Sequence, residues 1–205
     1  MNDVSSSKYQ QLKKIKQEIV GLKQSPLYDY RRKHNYHPVI GEGSHDAEIM
    51  FIGEAPGENE AETGRPFCGA AGRILDELLQ EAGLKRDQVY ITNVVKDRPP
   101  GNRDPKPKEI KLYAPFLKRQ IEIIKPEVIA PLGRFAMRFV FKNYNLEDEL
   151  QKISQIHGRV FTTVASCGQI SVVPLYHPAV ALYQHSMKET LNEDFQVLTT
   201  LESLV

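Results

Sequence analysis

Apolar residues recur along the chain at helix and strand spacings, and they predict alternating helices and strands. Leu12, Ile15, Ile19 and Leu22 recur at helical spacing and predict an amphipathic helix over about residues 8–24, with a basic outer face. The next segment is rich in Tyr, His and Arg and is expected to be a loop. Four buried strands are predicted from apolar runs at residues 47–53, 89–94, 128–133 and 170–175. A short strand at residues 159–163 is expected to pair as a hairpin with the segment after Gly168.

Helical patterns separate and follow the predicted strands, at residues 69–82, 107–125, 135–140 and about 188–204. Gly83 is expected to end the first of these helices, and Pro115 to kink or interrupt the second. Because strands and helices alternate, the sequence predicts an α/β fold, a three-layer α/β/α sandwich around a central, mainly parallel four-stranded sheet. We expect a single domain over residues 1–205, with the N-terminal helix packed on it.

The carboxyl ends of the predicted parallel strands locate a candidate site, because ligands of open α/β sheets bind in the crevice beyond those ends. The segments that leave the four ends are residues 54–57, Asn93 with the loop after it, residues 133–134 and residues 177–179. They carry acidic, amide, basic and imidazole groups. The sequence therefore predicts a polar site with the means for acid–base chemistry at this edge of the sheet.

Composition agrees with a soluble globular protein, since 40% of the 205 residues are hydrophobic and 26% are charged. No apolar run reaches the roughly 18 residues that a membrane-spanning helix needs. The first residues lack the apolar stretch and cleavage site of a signal peptide. We therefore expect a cytoplasmic protein without a membrane partner.

Positive charge is concentrated locally, although the formal net charge is only +1. Residues 96–125 contain nine Lys or Arg (positions 96, 98, 103, 106, 108, 111, 118, 119 and 125) against four acids (97, 104, 109 and 122). A surface with this excess of positive charge could bind the phosphates of DNA. By itself, a charged loop and helix face is more often simply solvated.

Two cysteines, Cys68 and Cys167, lie far apart and have no partners at metal-ligand spacing. The sequence therefore predicts neither a disulfide framework nor a zinc site. Both cysteines are expected to be small buried hydrophobic residues.

Four motifs in fixed order carry a resemblance to a known family. They are GEAPGENE at residues 53–60, TGRPF at residues 63–67, YITNVVK at residues 90–96 and HPA at residues 177–179. Together they resemble the family 4 uracil-DNA glycosylases, and the resemblance extends from residues 41–43 through residues 98–103 to the final helix. The first motif lacks the Gly-Lys-Ser/Thr ending of a P-loop and the glycine spacing of a dinucleotide fold, which argues against a phosphate cradle.

The resemblance implies base excision repair, in which uracil is flipped out of DNA and its N-glycosidic bond is hydrolysed to leave an abasic site. It assigns Glu54 to the attacking water and the sugar cation, and His177 to hydrogen bonding at uracil O2. Phe67 is the expected stacking ring. Asn93 is expected to pair with uracil N3 and O4, which cytosine would leave unmatched.

Other residues of the first motif are assigned to substrate binding by the same resemblance, namely Gly53, Ala55, Gly57 and Glu60. Glu60 matches a residue near the C5 edge of uracil, where it would disfavour the methyl group of thymine. A solvated loop glutamate is the alternative for Glu60. Alternatives also exist for Phe67, Asn93 and His177, which without the resemblance are compatible with a core phenylalanine, a turn asparagine and a structural histidine.

Contacts with DNA are expected on two segments. Arg98, Asn102, Arg103 and Lys106 lie on the basic loop after the second strand and are candidates for phosphate contacts. The segment after residues 177–179 is where related enzymes press a wedge into the duplex. Leu182 is the candidate wedge, and Tyr183 stands where the family usually has arginine.

One departure concerns the iron–sulfur cluster that the family typically holds with four cysteines. The matching positions here are Leu22, Ser25, Asp97 and Tyr113, none of which supplies a thiolate. We therefore predict no cofactor, and we expect the packing of Leu22 and Tyr113 to tie the N-terminal helix to the sheet.

Two alternatives to uracil excision remain at this point. One is a glycosylase for another deaminated base such as hypoxanthine, against which Asn93 argues. The other is a catalytically silent protein that binds or senses damaged DNA, against which the presence of all four of Glu54, Phe67, Asn93 and His177 argues. A covalently trapping relative needs a histidine in the loop after the second strand, and residues 95–107 contain none. The expected partner is uracil-containing DNA, single- or double-stranded, bound by a monomer.

Overall fold

The computed structural model describes residues 2–166 and 168–202. Within them, six strands form one sheet in the order β1-β3-β2-β4-β6-β5. The strands are β1 (Glu42–Gly43), β2 (Ile49–Gly53), β3 (Tyr90–Asn93), β4 (Val128–Pro131), β5 (Phe161–Ala165) and β6 (Gly168–Val172). The four central strands are parallel, with Ile52 level with both Thr92 and Pro131, and Ile129 level with Val172.

The fold class is confirmed, with one correction to the number of strands. The four predicted parallel strands are present, and the predicted hairpin pairs β5 antiparallel to β6. The sheet nevertheless has six strands rather than four, because β5 joins it through the hairpin at one edge and β1 adds a second antiparallel edge beside β3. β1 has only two residues, one of them Gly43 with a positive φ. A segment this short shows no apolar alternation, so the sequence did not predict it as a strand.

Nine α-helices surround the sheet within the described residues. They are α1 (Asn2–Val20), α2 (Tyr28–Lys33), α3 (Glu58–Thr63), α4 (Ala70–Glu81), α5 (Pro107–Ile124), α6 (Gly133–Asn143), α7 (Ile153–Ile156), α8 (Val180–Tyr183) and α9 (Met187–Glu202). Two short 3₁₀ turns occur at Pro100–Asn102 and Glu147–Glu149.

The helix predictions hold in outline and differ in detail. α1 both begins and ends earlier than expected, α2 occupies the predicted loop, and α5 continues through Pro115. Gly83 follows α4 with φ +75°, as expected of a helix-ending glycine. None of the helices that the structure describes is long and apolar enough to cross a membrane.

Apolar side chains cover both faces of the sheet, which gives the three layers. Met50 and Ile52 of β2 pack on one face with α1, α5 and α6, while Ile49 and Phe51 pack on the other with α4 and α9. α1 contributes its predicted apolar stripe, including the fully buried Ile15 and Ile19, and it packs along α5. Each such side chain stabilises the fold by about 1.5–3 kcal/mol, so the N-terminal helix is an integral part of the layer.

Candidate active site

A cavity of about 350 Å³ opens at the carboxyl edge of the parallel strands, where the sequence located the site. It is lined by Glu54, Ala55, Pro56, Gly57, Glu60, Phe67, Ala71, Asn93, Pro99, Asn102, Arg103, His177 and Ala179. All the residues that the sequence assigned to chemistry or base binding therefore lie in its wall, except Gly53, which lies directly beneath two of them. Pro99 and Ala179 belong to segments that the sequence placed at the site without assigning them a role, and Ala71 is a lining residue that sequence reasoning missed.

Gly53 allows the expected stacking ring and the expected base-pairing amide to approach each other. A Cβ at this position would lie 2.3 Å from Oδ1 of Asn93 and 2.7 Å from the ring of Phe67. Such distances are too short for any real contact, so the site requires glycine here. The flat ring and the amide thus meet at the end of β2, as a slot for a planar heterocycle needs.

The loop that carries Phe67 is held by Glu60. One carboxylate oxygen of Glu60 accepts hydrogen bonds from the backbone N–H of Cys68, at 2.9 Å, and of Gly69, at 2.8 Å. Phe67 itself has φ +47°, which is costly for a bulky residue and is sustained only by surrounding contacts. Glu60 is therefore a brace for the stacking ring, a role that its position in the motif did not reveal.

His177 lies across the cavity from Phe67, with the ring centroids 5.5 Å apart. Desolvation lowers its pKa to about 4, so the imidazole is neutral at pH 7. The backbone N–H of Ala179 donates to Nδ1 at 3.2 Å, which places the imidazole proton on Nε2. Gly133 makes room, because a Cβ there would lie 3.1 Å from Cβ of His177. The site therefore presents a neutral N–H donor.

Glu54 is a second ionisable residue in the wall of the cavity. Desolvation and the nearby charge of Asp104 raise its pKa to about 7, against the lowering effect of Arg134. A carboxyl group with this pKa is suited to accept a proton near neutral pH. Arg134 and Asp104 pair with each other at 3.2 Å. They are electrostatic neighbours that the sequence did not assign, although residues 133–134 were placed at the site.

Two arginines of the basic loop are engaged by other residues of the protein. Arg98 is buried and donates to the hydroxyl of Tyr36 at 2.6 Å, to Glu58 at 2.8 Å and to Oδ1 of Asn102 at 2.8 Å. Arg103 makes a two-pronged ion pair with Glu109, at 2.6 and 2.9 Å. Asn102 and Arg103 line the cavity, whereas Arg98 does not. The structure thus gives Arg98 a positioning role.

Lys106 and the last two residues of α8 are open to solvent. Lys106 is exposed and makes no ion pair with any residue that the structure describes. Leu182 and Tyr183 end α8, and they are 39% and 90% exposed. Exposed apolar side chains of this size, three and four residues after the cavity-lining Ala179, are available to contact a ligand.

A buried lysine beneath the site was not predicted. Lys96 is fully buried and donates to Oγ1 of Thr92 at 2.7 Å, to the backbone carbonyl of Asn93 at 2.7 Å and to Oε1 of Gln120 at 2.5 Å. Burial lowers its pKa well below the usual value. Lys96 thus fixes the backbone of Asn93, whose amide side chain lines the cavity. Its position within the basic loop made it indistinguishable in sequence from a surface cation.

Three of the four positions that match the cluster cysteines of the family, Ser25, Asp97 and Tyr113, belong to a buried hydrogen-bond network. Tyr113 donates to Asp97 at 2.5 Å and lies 2.8 Å from Oγ of Ser25. Nη1 of Arg31 lies 3.0 and 3.1 Å from the two oxygens of Asp97, and Arg31 also donates to the carbonyls of residues 19 and 20, at the end of α1. These side chains do not fit an iron–sulfur cluster, which needs thiolates.

Packing alone was expected to tie the N-terminal helix down, and this expectation is incomplete. Leu22 and Tyr113 are buried in one apolar cluster, as predicted. The polar network of Ser25, Arg31, Asp97 and Tyr113 adds hydrogen bonds and a buried ion pair between α1, α2, α5 and the loop after β3. Arg31 was not recognised in the sequence, because nothing local marks a partner 66 positions away.

The described residues contain no group of three or more His, Cys, Asp or Glu that could hold a metal ion. Cys68 is half-buried rather than buried, with its Sγ 3.2 Å from Oγ1 of Thr63. Cys167 lies outside the described residues.

Residues 40–198 match the model of the uracil DNA glycosylase superfamily. The match covers more than half of the chain and includes the six strands and the lining of the cavity. The chain therefore belongs to the uracil-DNA glycosylase superfamily.

Individual relatives show which type of uracil-DNA glycosylase the chain resembles. The chain is 45% identical over 191 residues to a type-4 uracil-DNA glycosylase of Sulfurisphaera tokodaii, covering 93% of this chain and 84% of the relative. It is 43% identical over 187 residues to that of Archaeoglobus fulgidus, covering 91% of each. A type-5 uracil-DNA glycosylase of Thermus thermophilus is 33% identical over 148 residues, covering 64% and 65%. The resemblance to family 4 that the motifs indicated is thus confirmed.

Proposed function

We propose that this chain is a monofunctional uracil-DNA glycosylase, which hydrolyses the bond between uracil and deoxyribose in DNA and leaves an abasic site. The observation that carries the proposal is the meeting of Phe67, Asn93 and a neutral His177 around one cavity above Gly53. Type-4 uracil-DNA glycosylases that match most of the chain support it. The proposed place of the enzyme is base excision repair.

In this mechanism the base is flipped out of the stack at a cost of a few kcal/mol and enters the cavity. Its ring stacks on Phe67. The amide of Asn93 donates to O4 and accepts from N3–H, whereas cytosine presents the reverse pattern and leaves buried groups unpaired. Gly53, Ala55 and Gly57 let the backbone approach the base, and Glu60 acts by bracing the Phe67 loop.

Bond cleavage then sends the electron pair of the C1′–N1 bond onto uracil. His177 donates from Nε2 to O2 and stabilises the anion without transferring a proton, as its low pKa requires. Ionised Glu54 stabilises the sugar cation and takes a proton from the water that attacks C1′. The products are an abasic deoxyribose and the uracil anion, which takes up a proton from solvent after release, while Glu54 returns its proton to solvent.

DNA is held, in this proposal, by cations and by a wedge. Lys106, Arg103 and Asn102 contact phosphates near the cavity, Arg98 keeps their loop in place, and Leu182 with Tyr183 fills the space that the flipped nucleotide leaves. No iron–sulfur cluster takes part, because Leu22, Ser25, Asp97 and Tyr113 cannot ligate one. An iron-dependent visible absorbance of the purified protein would contradict this part.

The test is incubation of the purified protein with DNA that carries one uracil opposite guanine, adenine or no base, followed by alkali to reveal abasic sites. Wild type should leave an alkali-labile abasic site in every context that presents a flippable uracil. His177→Ala should lose about 10²–10³ in rate, since it removes a donor to the developing anion, and Asn93→Ala should also lose excision. His45→Ala and Asn143→Ala, which line no part of the cavity, serve as matched controls.

Two outcomes would refute the proposal. Intact DNA despite tight binding by wild type would identify a silent DNA-binding protein. Release of hypoxanthine but not uracil, from otherwise identical strands, would contradict the role given to Asn93.

A further inference from the structure

Three aromatic rings form a cluster outside the cavity, here called the aromatic array and made of Tyr30, His34 and Tyr36. The ring centroids of Tyr30 and His34 are 4.2 Å apart, and those of His34 and Tyr36 are 5.3 Å apart with an angle of 16° between the planes. His34 is exposed, and the two tyrosines are half-buried. The array therefore keeps ring surface in contact with solvent, and no step of the excision mechanism uses it.

The basic loop fixes both ends of the segment that carries the array. Asp97 holds Arg31, one residue from Tyr30, through the buried ion pair. Arg98 donates to the hydroxyl of Tyr36, and its guanidinium lies 5.3 Å from the centre of that ring. Two consecutive loop residues thus hold the array in a single position, which lowers the entropy cost of binding a ligand there.

A continuous chain of contacts joins the array to the cavity. Asn102 lines the cavity and accepts a hydrogen bond from Arg98, which in turn bonds Tyr36. Tyr36 also donates to Glu58, the residue after the cavity-lining Gly57. The array is therefore one layer of side chains away from the mouth of the cavity.

Exposed positive charge accompanies the rings, and the guanidinium of Arg32 lies 5.9 Å from the centre of the Tyr28 ring. Arg32 and Lys33 are exposed and form no ion pair with any residue in the described ranges, whereas Arg103 and Arg134 are paired with Glu109 and Asp104. Asp29 is the acidic residue of the same helix. Aromatic faces interleaved with free cations are the combination by which proteins bind single-stranded nucleic acid, with bases on the rings and phosphates on the cations.

We propose that the aromatic array and Arg32 and Lys33 bind the unpaired bases that flank uracil on a single-stranded substrate. The proposal rests on the proposed function, since it extends the path of the DNA strand away from the excision cavity. Stacking reads no sequence, because every base has an aromatic face. The array thus favours uracil in single-stranded DNA over uracil in a duplex, where flanking bases are stacked on each other.

The experiment measures how binding depends on flank length. Uracil-containing and uracil-free single strands are extended from about two to about eight nucleotides on either side of one position, a range that matches single-strand site sizes. Dissociation constants come from fluorescence anisotropy, and excision is followed on the same strands. For wild type, lengthening one flank should tighten binding by about tenfold or more, the expected gain for one or two stacked bases.

Variants assign that gain to the array. Tyr30→Ala/His34→Ala should lose most of it, while His34→Phe, which keeps a stacking face, should retain it. Arg32→Ser/Lys33→Ser should weaken binding of all long strands and reduce its salt dependence. Tyr9→Ala, an exposed tyrosine of α1, and Arg138→Ser/Lys142→Ser, two exposed cations of α6, are the matched controls and should keep the gain.

The outcomes separate this inference from the proposed function. If wild type leaves uracil in place, the proposed function fails, whereas flank-dependent binding of the uracil-free strands still reports on the array. An equal gain in wild type and Tyr30→Ala/His34→Ala would overturn the inference even if uracil is excised. A gain lost equally in Tyr9→Ala would do the same.

Discussion

Replacing Arg31 with methionine should strongly destabilise the fold, because it leaves a buried carboxylate without its counter-charge. The side chains of Arg31 and Asp97 are 6% and 0% exposed, and the closest nitrogen–oxygen distance is 3.0 Å. Removing one partner of a buried pair typically costs about 3–5 kcal/mol. Arg31→Met also removes the donor to the carbonyl of Val20, whereas the carbonyl of Ile19 keeps the backbone N–H of Leu22. The two losses share one side chain and overlap.

Protonation of Asp97 limits the size of the effect. Burial already raises the pKa of Asp97, while Tyr113 and Arg31 lower it. Without Arg31 the pKa rises further, and a carboxyl group that takes up a proton no longer carries an unpaired charge. The expected loss is therefore about 3 kcal/mol, at the lower end of the range. For a chain of this length, that corresponds to a fall in Tm of about 6–12 °C.

Thermal and urea unfolding, followed by circular dichroism, measure the loss. Arg119→Met is the matched control, since it breaks an ion pair with Glu18 whose side chains are 37% and 36% exposed, and such pairs contribute about 1 kcal/mol or less. The double variant Arg31→Met/Asp97→Leu should lose less unfolding free energy than the two single variants lose together, because it removes both buried charges. A loss in Arg31→Met no larger than that in Arg119→Met would refute the reasoning.

Three further predictions concern the cavity and its support. The kcat/KM for uracil excision should rise as pH increases through about 7, because Glu54 is protonated and inactive below that pH, and Glu54→Gln should remove this limb of the profile. Gly53→Ala should lower kcat/KM by about a hundredfold or more by displacing Asn93 and Phe67, while Gly21→Ala, whose Cβ meets nothing closer than 3.6 Å, should not. Since the pKa of Lys96 is lower in the folded chain, the unfolded chain binds more protons between the folded and unfolded pKa values, and stability should rise with pH there. Lys96→Met should abolish that slope in urea unfolding at several pH values.

The sequence predicted the parallel centre of the sheet because its strands are continuous apolar runs that end at polar segments. It failed at β1 and α2, which are short and whose conformation depends on neighbours distant in sequence. Glu42 and Gly43 are a strand because they pair with Tyr90 and Ile91. α2 forms where Arg31 reaches both Asp97 and the end of α1. Local patterns carry no record of such long-range pairings.

In the candidate site, too, local patterns predicted some features, and contacts distant in sequence determined the others. Motif order gave the residues that line the cavity, since the carboxyl ends of parallel strands meet at one edge. It did not give the partners of those residues. Arg98 and Lys96 are both cations of one loop, yet one is tied to Tyr36 and Glu58, and the other is buried against Thr92 and Gln120. Only the packing of α5, of α3 and of Tyr36 on that loop distinguishes them from surface charges.

Burial at the sheet edge moves the two chemical groups of the site toward their neutral forms. It raises the pKa of Glu54 to about 7 and lowers that of His177 to about 4, so the pair does not form a salt bridge at neutral pH. A neutral imidazole whose tautomer is fixed by the N–H of Ala179 instead offers a donor that needs no proton transfer. In the proposed mechanism, the negative charge that develops on the leaving base meets this preorganised donor in a poorly solvated cavity, where hydrogen bonds are strongest.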